Sequence, residues 1–146
     1  MAITSAICNS FKQEILEAEH NFTATTGNTF NLALYTSSAT LSASTTAYSS
    51  TAEITNTSGT AYSAKGNALT SVTPTLDSST AICDFADTSW TSASFTANGC
   101  LIFNDSHATD ASVCAVAFGG DKTVSSGTFT IQFPAAAATT AIIRIA

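Results

Sequence analysis

The chain has 146 residues and a formal net charge of −6; 45% of it is hydrophobic and only 10% is charged, a balance that excludes intrinsic disorder, which requires few apolar residues and much charge. Its four cations, Lys12, Lys65, Lys122 and Arg144, are too few and too scattered to neutralise a phosphate backbone or an anionic bilayer, so no nucleic acid and no membrane is expected as a partner. No run reaches the roughly 18 consecutive apolar residues of a membrane span, and MAITSAICNSFKQEILEAEH lacks the basic leader and apolar stretch of a secretory signal.

Polarity comes from hydroxyls instead. Ser and Thr fill roughly a third of the positions, and threonine favours strands while serine favours turns and edges. An all-β fold is predicted, as a single domain over residues 1–146 with a helix over 3–20 and a β-sandwich over 28–146. The helix rests on Ile7, Phe11 and Ile15 at a spacing of four, with Cys8 and Leu16 alongside and Lys12, Gln13, Glu14 and Glu17 facing away. Thr4 or Ser5 is the expected cap. One face is apolar enough that it must dock, and Phe11, Ile15 and Leu16 are the candidate anchors, to the chain's own sheet or to a neighbour.

After His20 the period changes to two, and Phe30, Leu32 and Leu34 alternate with Asn31, Ala33 and Tyr35. Thr36 to Ser63 is hydroxyl-rich, but Leu41, Tyr48, Ile54 and Tyr62 recur within it, so it is read as an ordered loop with one or two short strands. Lys65-Gly66-Asn67 reads as a turn before a strand over Ala68 to Val72. Further strands are expected at Ala81 to Phe85, Ser94 to Thr96, Cys100 to Phe103, Val113 to Phe118, Thr128 to Phe133 and Ala141 to Ala146. Gly99, Asn104-Asp105 and Gly119-Gly120-Asp121 supply the punctuation, and Pro134 ends its strand. About eight strands at this spacing predict a jelly-roll-like antiparallel β-sandwich with one N-terminal helix.

The search for chemistry returns little. No GxSxG elbow occurs, and a Ser106-His107-Asp110 triad would have to form within one loop, whereas a triad needs separate segments to converge. Asn104, Asp105, His107 and Asp110 offer ligand atoms without calcium-loop spacing, so a polar surface turn is preferred and no metal is expected. Asp84 and Asp87 in CDFAD read as strand-end residues, not a glycosidase pair. Gly119-Gly120 is not a phosphate loop, so no cofactor is expected. Cys8, Cys83, Cys100 and Cys114 lack zinc or CxxC spacing and are read as reduced, buried thiols, with one or two disulfides as the alternative. The triplets at Asn21, Asn56 and Asn104 are read as chance in so hydroxyl-rich a chain. Trp90 is expected in the core, with sugar stacking as the sharper alternative. The chain is therefore not expected to be an enzyme.

The order of its segments is more informative than any one of them. FNLALYTSSATLSASTTAYSSTAEI, then AYSAKGNALTSVTP and STAICDFADTSWTSASFTANGCLIFNDS, then AVAFGGDKTVSSGTFTIQFP and the closing AIIRI, resemble small virion structural proteins of tailed bacteriophages, those of aquatic and cyanobacterial phages in particular. The resemblance runs from about Phe11 to Ile145. It implies a capsid decoration, or cement, protein: a homotrimer on the outside of the shell whose partners are the major capsid protein and copies of itself, made in the host cytoplasm. A tail, neck or fibre-base subunit is the alternative. A carbohydrate-binding sandwich using Trp90, Tyr35, Tyr48 and Tyr62 is the second. The acidic loop SHATDASVC and the cysteines at 83, 100 and 114 depart from the pattern of that group.

Overall fold

The computed structural model describes residues 1–55 and 62–146; the triplet at Asn56 and part of the Thr36 to Ser63 stretch lie outside the described residues. The fold is an all-β sandwich of two antiparallel sheets with one short helix. In chain order the elements are β1 (Ala6–Ile7), α1 (Asn9–Leu16), β2 (Phe30–Tyr35), β3 (Asn67–Ala68), β4 (Ser71–Asp77), β5 (Thr80–Phe85), β6 (Thr88–Asn104), β7 (Ser112–Ile131) and β8 (Ile143–Ile145). The larger sheet has the order β1-β7-β6-β2-β3, and the smaller one β4-β5-β8.

The helix is shorter than its apolar period suggests. Ala6 and Ile7 pair with Ala115 and Cys114 as an edge strand, and Ile3 bridges to Leu41, so strand pairing takes the segment before the helix can start. Neither expected cap serves: Cys8 holds the N-cap position without a side-chain bond, and Ser5 Oγ accepts a hydrogen bond from the Ala117 N–H at 2.9 Å. The start of the helix is tied to its surroundings: the N-cap Cys8 N–H donates to Val113 O, and the N–H of Asn9, the first helical residue, donates to Ala43 O.

Strand β2 shows why period two matters. Phe30, Leu32 and Leu34 enter the core between the sheets, while Ala33 and Tyr35 on the opposite face enter a second, smaller core with Leu41, Leu101, Phe103 and Ala115. The cover of that second core is the hydroxyl-rich stretch after Tyr35. Its described part is ordered, as expected, but forms isolated bridges instead of short strands: Leu41 to Ile3, Ala47 to Ala111 and Glu53 to Tyr35. Further backbone bonds from Thr36 to Ala52, Tyr48 to Asp110, Ile54 to Leu34 and Ser112 to Thr46 lay it across the sheet. Sheet residues on both faces are thereby dry, although only one face meets another sheet.

Four expected short strands are in fact two long ones. Ser94–Thr96 and Cys100–Phe103 belong to β6, and Val113–Phe118 and Thr128–Phe133 belong largely to β7, which ends at Ile131. The glycines and polar residues between them mark irregularities in a continuous ladder, not turns. Its register shifts between Trp90 and Ala93, Ala93 and Phe95, and Ala97 and Gly99, and bulges bend a strand without ending it. Gly119 and Gly120, at φ of 73° and 142°, supply backbone that side-chain-bearing residues rarely adopt. The other expected turn does form: Lys65 and Gly66 have φ of 72° and 65°, and a Cβ at Gly66 would lie 1.9 Å from Leu32 O. That position requires glycine.

The inter-sheet core runs from Phe11, Phe22 and Phe30 through Phe85 to Trp90 and Phe95, with Phe22 and Phe30 stacked at 4.2 Å. From the smaller sheet, Cys83, Phe85 and Ile143 face into it. On the β6–β7 ribbon the outer hydroxyls pair across the strands, as with Thr96 and Thr123 at 2.8 Å, while Phe129 packs inward on Phe95 at 5.0 Å.

Candidate functional site

The constellations that could have carried chemistry are occupied with structural bonds. In the His107 loop, Ser106 Oγ accepts the Thr29 N–H at 2.8 Å, His107 Nδ1 lies 3.0 Å from Thr109 Oγ1, and Asp110 lies 2.9 Å from Lys65 Nζ. No nucleophile meets a base there. Asp105 joins Asp110 on Lys65 at 2.8 Å, and the two carboxylates hold the Lys65 ammonium well above its usual range. Asn104 is fully buried, its Nδ2 amide directed at His20 Nδ1, Asn28 Oδ1 and Glu19 O, so it is no acceptor for a glycan in the folded chain. Asp87 Oδ1 accepts the Phe133 N–H at 2.9 Å, while the neighbouring Asp84 keeps one buried oxygen without a partner.

Three of the four aromatic residues named for sugar stacking are turned inward. Trp90 is 2% exposed and packs on Tyr62, Phe95 and Phe129. Tyr35 and Tyr62 are buried, and Tyr48 stacks on Phe103 at 4.8 Å. Trp90, Tyr35 and Tyr62 present no open ring platform, and Tyr48 is partly exposed.

Two polar clusters escaped the sequence reading. In the first, buried Glu53 accepts hydrogen bonds from Tyr48 OH at 2.6 Å, Tyr62 OH at 2.7 Å and the Lys65 N–H at 2.7 Å. The Tyr62 oxygen also accepts the Leu34 N–H, which ties the covering loop to β2. Burial, reinforced by the Glu53 charge, raises Tyr35 and Tyr62 far above an ordinary phenol and Tyr48 to about 12. A lone Glu in a hydroxyl-rich loop has no periodic signature; the recurring Tyr48 and Tyr62 were the only available signal. In the second cluster, buried His20 places Nε2 at 2.9 Å from Glu14 Oε2 and Nδ1 at 3.1 Å from Asn104 Nδ2. The Nε2–H tautomer satisfies both, donating to Glu14 and accepting from Asn104. Its ring packs on Phe11 at 5.0 Å and on His107 at 6.3 Å.

All four cysteines are free and buried. Burial pushes the Cys83 and Cys100 thiols up to about 12 and raises Cys8 and Cys114 as well. A thiol reacts as its thiolate, so a water-soluble disulfide reagent at pH 8 is expected to label none of them in the folded protein and all of them in denaturant. Rapid labelling of even one thiol in the native protein would contradict this packing.

What the structure leaves open is a surface. Of the three expected anchors, Phe11 is buried against Phe22 and His20, and Ile15 is half-buried against the inter-sheet core. Leu16 is 88% exposed, so it does not anchor the helix to the chain's own sheet. It borders a largely apolar groove of about 350 Å³ between α1 and β8, which Ile143 and Ile145 also line. A smaller hollow of about 120 Å³ adjoins it under Phe11 and Pro74. Ile145 is 58% exposed, and Leu76 on β4 is 72% exposed. No helix is long and apolar enough to cross a membrane among the described residues.

No family model matches the chain, and no curated protein or solved structure is significantly similar to it.

Proposed function

We propose that this chain is a structural subunit of a tailed-phage virion, a capsid decoration protein that binds the outer shell as a homotrimer and stabilises the head by adhesion. One observation supports the reading best. The interior ionisable groups Glu53 and His20, and the partly exposed Lys65, are engaged in bonds that hold the chain to itself, while large apolar side chains stand exposed at the open side of the sandwich. Such a distribution suits a protein that works by surface fit. The segment order that resembles phage virion proteins supports the location.

The mechanism needs no bond-making. A decoration subunit buries area against several shell proteins at once, so pressure from packaged DNA must break more contacts to open the head. A trimer that engages three sites binds far more tightly than one arm, because the second and third contacts form at high effective concentration. Four free thiols fit synthesis in a reducing cytoplasm.

The test is immunogold labelling of virions with antibodies to the chain. Decoration predicts label over the whole head. Label confined to one vertex would assign the chain to the tail or neck, and unlabelled particles would remove it from the virion.

A further inference from the structure

The two sheets part along one side, where the edge strands β1 and β8 flank α1. Three features of this seam point to an occupant. First, among the described residues β8 pairs only with β5, and its outer backbone edge carries no strand partner there. The opposite edge of the same sheet is protected: β4 carries Pro74, a register shift between Val72 and Thr75, and a hydrogen bond from the Ala24 N–H to Thr73 Oγ1. Proline and bulges on an edge prevent pairing, and β8 has neither.

Second, the groove beside β8 has apolar walls with exposed tips, Leu16 on the helix and Ile145 on the strand. Third, its charge is inverted relative to the molecule. The chain carries −6, yet the charged residues at this groove are Lys12 and Arg144. Lys12 Nζ donates to Asn9 Oδ1 at 3.2 Å and Arg144 Nη1 to Ala138 O at 3.1 Å. Neither pairs with a carboxylate among the described residues.

We propose that β8 is a strand-addition site for an extended segment of a different polypeptide in which apolar and acidic residues alternate. Main-chain bonds along the free edge supply the affinity of such a contact, and alternate side chains supply its specificity. Side chains on the Ile143 and Ile145 face enter the groove beneath Leu16. Those on the other face lie beside Arg144 as cross-strand neighbours, where a carboxylate is favoured. Charge also argues against self-pairing: two antiparallel copies of β8 would bring two Arg144 and two Lys12 side chains together. The inference rests on the adhesive reading above for the origin of the segment, which is then a neighbouring virion subunit.

The probes are two fluorescent synthetic peptides, one alternating valine with glutamate and one alternating valine with lysine, titrated against the full chain and followed by anisotropy. The acidic peptide is expected to bind saturably and the basic one about tenfold more weakly. A Lys12→Glu, Arg144→Glu double variant, both positions being exposed, is expected to reverse that preference. Hydrogen exchange at Ile143–Ile145 should slow when the acidic peptide binds. Equal binding of the two peptides, or unchanged exchange at β8, would overturn the proposal. So would protection of β8 that grows with protein concentration in the absence of peptide, since that signals pairing with a second copy. A trimer that ignores the acidic peptide removes strand addition alone; a monomer that binds it removes the trimer alone.

Discussion

Replacing Glu53 with alanine is expected to lower the folding stability by about 3–5 kcal/mol, the largest loss from any single polar side chain in this fold. The carboxylate is buried and accepts from Tyr48 OH, Tyr62 OH and the Lys65 N–H. Alanine withdraws the acceptor from all three donors and leaves their desolvation uncompensated. The damage spreads, because Tyr62 is itself the acceptor for the Leu34 N–H in β2. A domain of this kind holds about 5–15 kcal/mol in total, so much of the margin would go. Glu53→Gln is the informative companion. Its oxygen at the Oε1 position can still accept from Tyr62 and Lys65, and its amide can donate to a rotated Tyr48 hydroxyl, so a loss of about 1–2 kcal/mol is expected. Urea titration of the three proteins measures both. A Glu53→Ala variant within about 0.5 kcal/mol of the parent would mean that this network contributes nothing to the covering loop.

Raising the pH above about 9 is expected to unfold the protein in one cooperative step. Each buried thiol and phenol has a folded pKa raised above its unfolded value. Between those two values the unfolded chain has released protons that the native chain still binds. Stability therefore falls as pH rises; it is fully present below the unfolded thiol pKa and is lost on the way to the folded one. The slope approaches ~1.4 kcal/mol per pH unit for each fully buried group. Cys83, Cys100 and Cys114 together reach roughly 4 kcal/mol per unit, Cys8 adds less, and the tyrosines add to this above about pH 10, Tyr48 least because it is partly exposed. The whole margin is consumed between about pH 10 and 11.5. Tyrosinate absorbance should accordingly appear together with the loss of far-ultraviolet circular dichroism. A gradual phenolate signal centred near the free-phenol pKa, with the fold intact, would show that the tyrosines are not held as described.

How much of this was readable from residues alone follows from the kind of signal each feature leaves. Strand β2 was legible because Phe30, Leu32 and Leu34 alternate strictly, β5 because its apolar run is bounded by turn residues, and β8 because Ile143 and Ile145 lie on one face with Arg144 on the other. The helix was legible in its centre and overextended at both ends, since Ile3 and Ile7 fit a helical face as well as an edge strand, and only tertiary pairing with Leu41 and Cys114 decides between them. The merging of four strands into β6 and β7 was not legible, because a glycine marks a bulge and a turn with the same letter. At the seam, period three-to-four put Phe11 and Ile15 on one apolar face with Leu16 alongside. It could not show that the apolar surface outruns its own sheet at Leu16, because where a neighbouring strand stops is not a local property. The Glu53 network was hidden for the same reason: its donors Tyr48, Tyr62 and Lys65 reach one carboxylate through the path of the loop over the sheet.

The mass of the purified protein in solution tests the proposed homotrimer most directly. Sedimentation equilibrium at micromolar concentration should return three times the 14.9 kDa chain mass, with no dissociation on moderate dilution. A single monodisperse species at the mass of one chain, unchanged as concentration rises, would contradict a subunit built to close on its own copies.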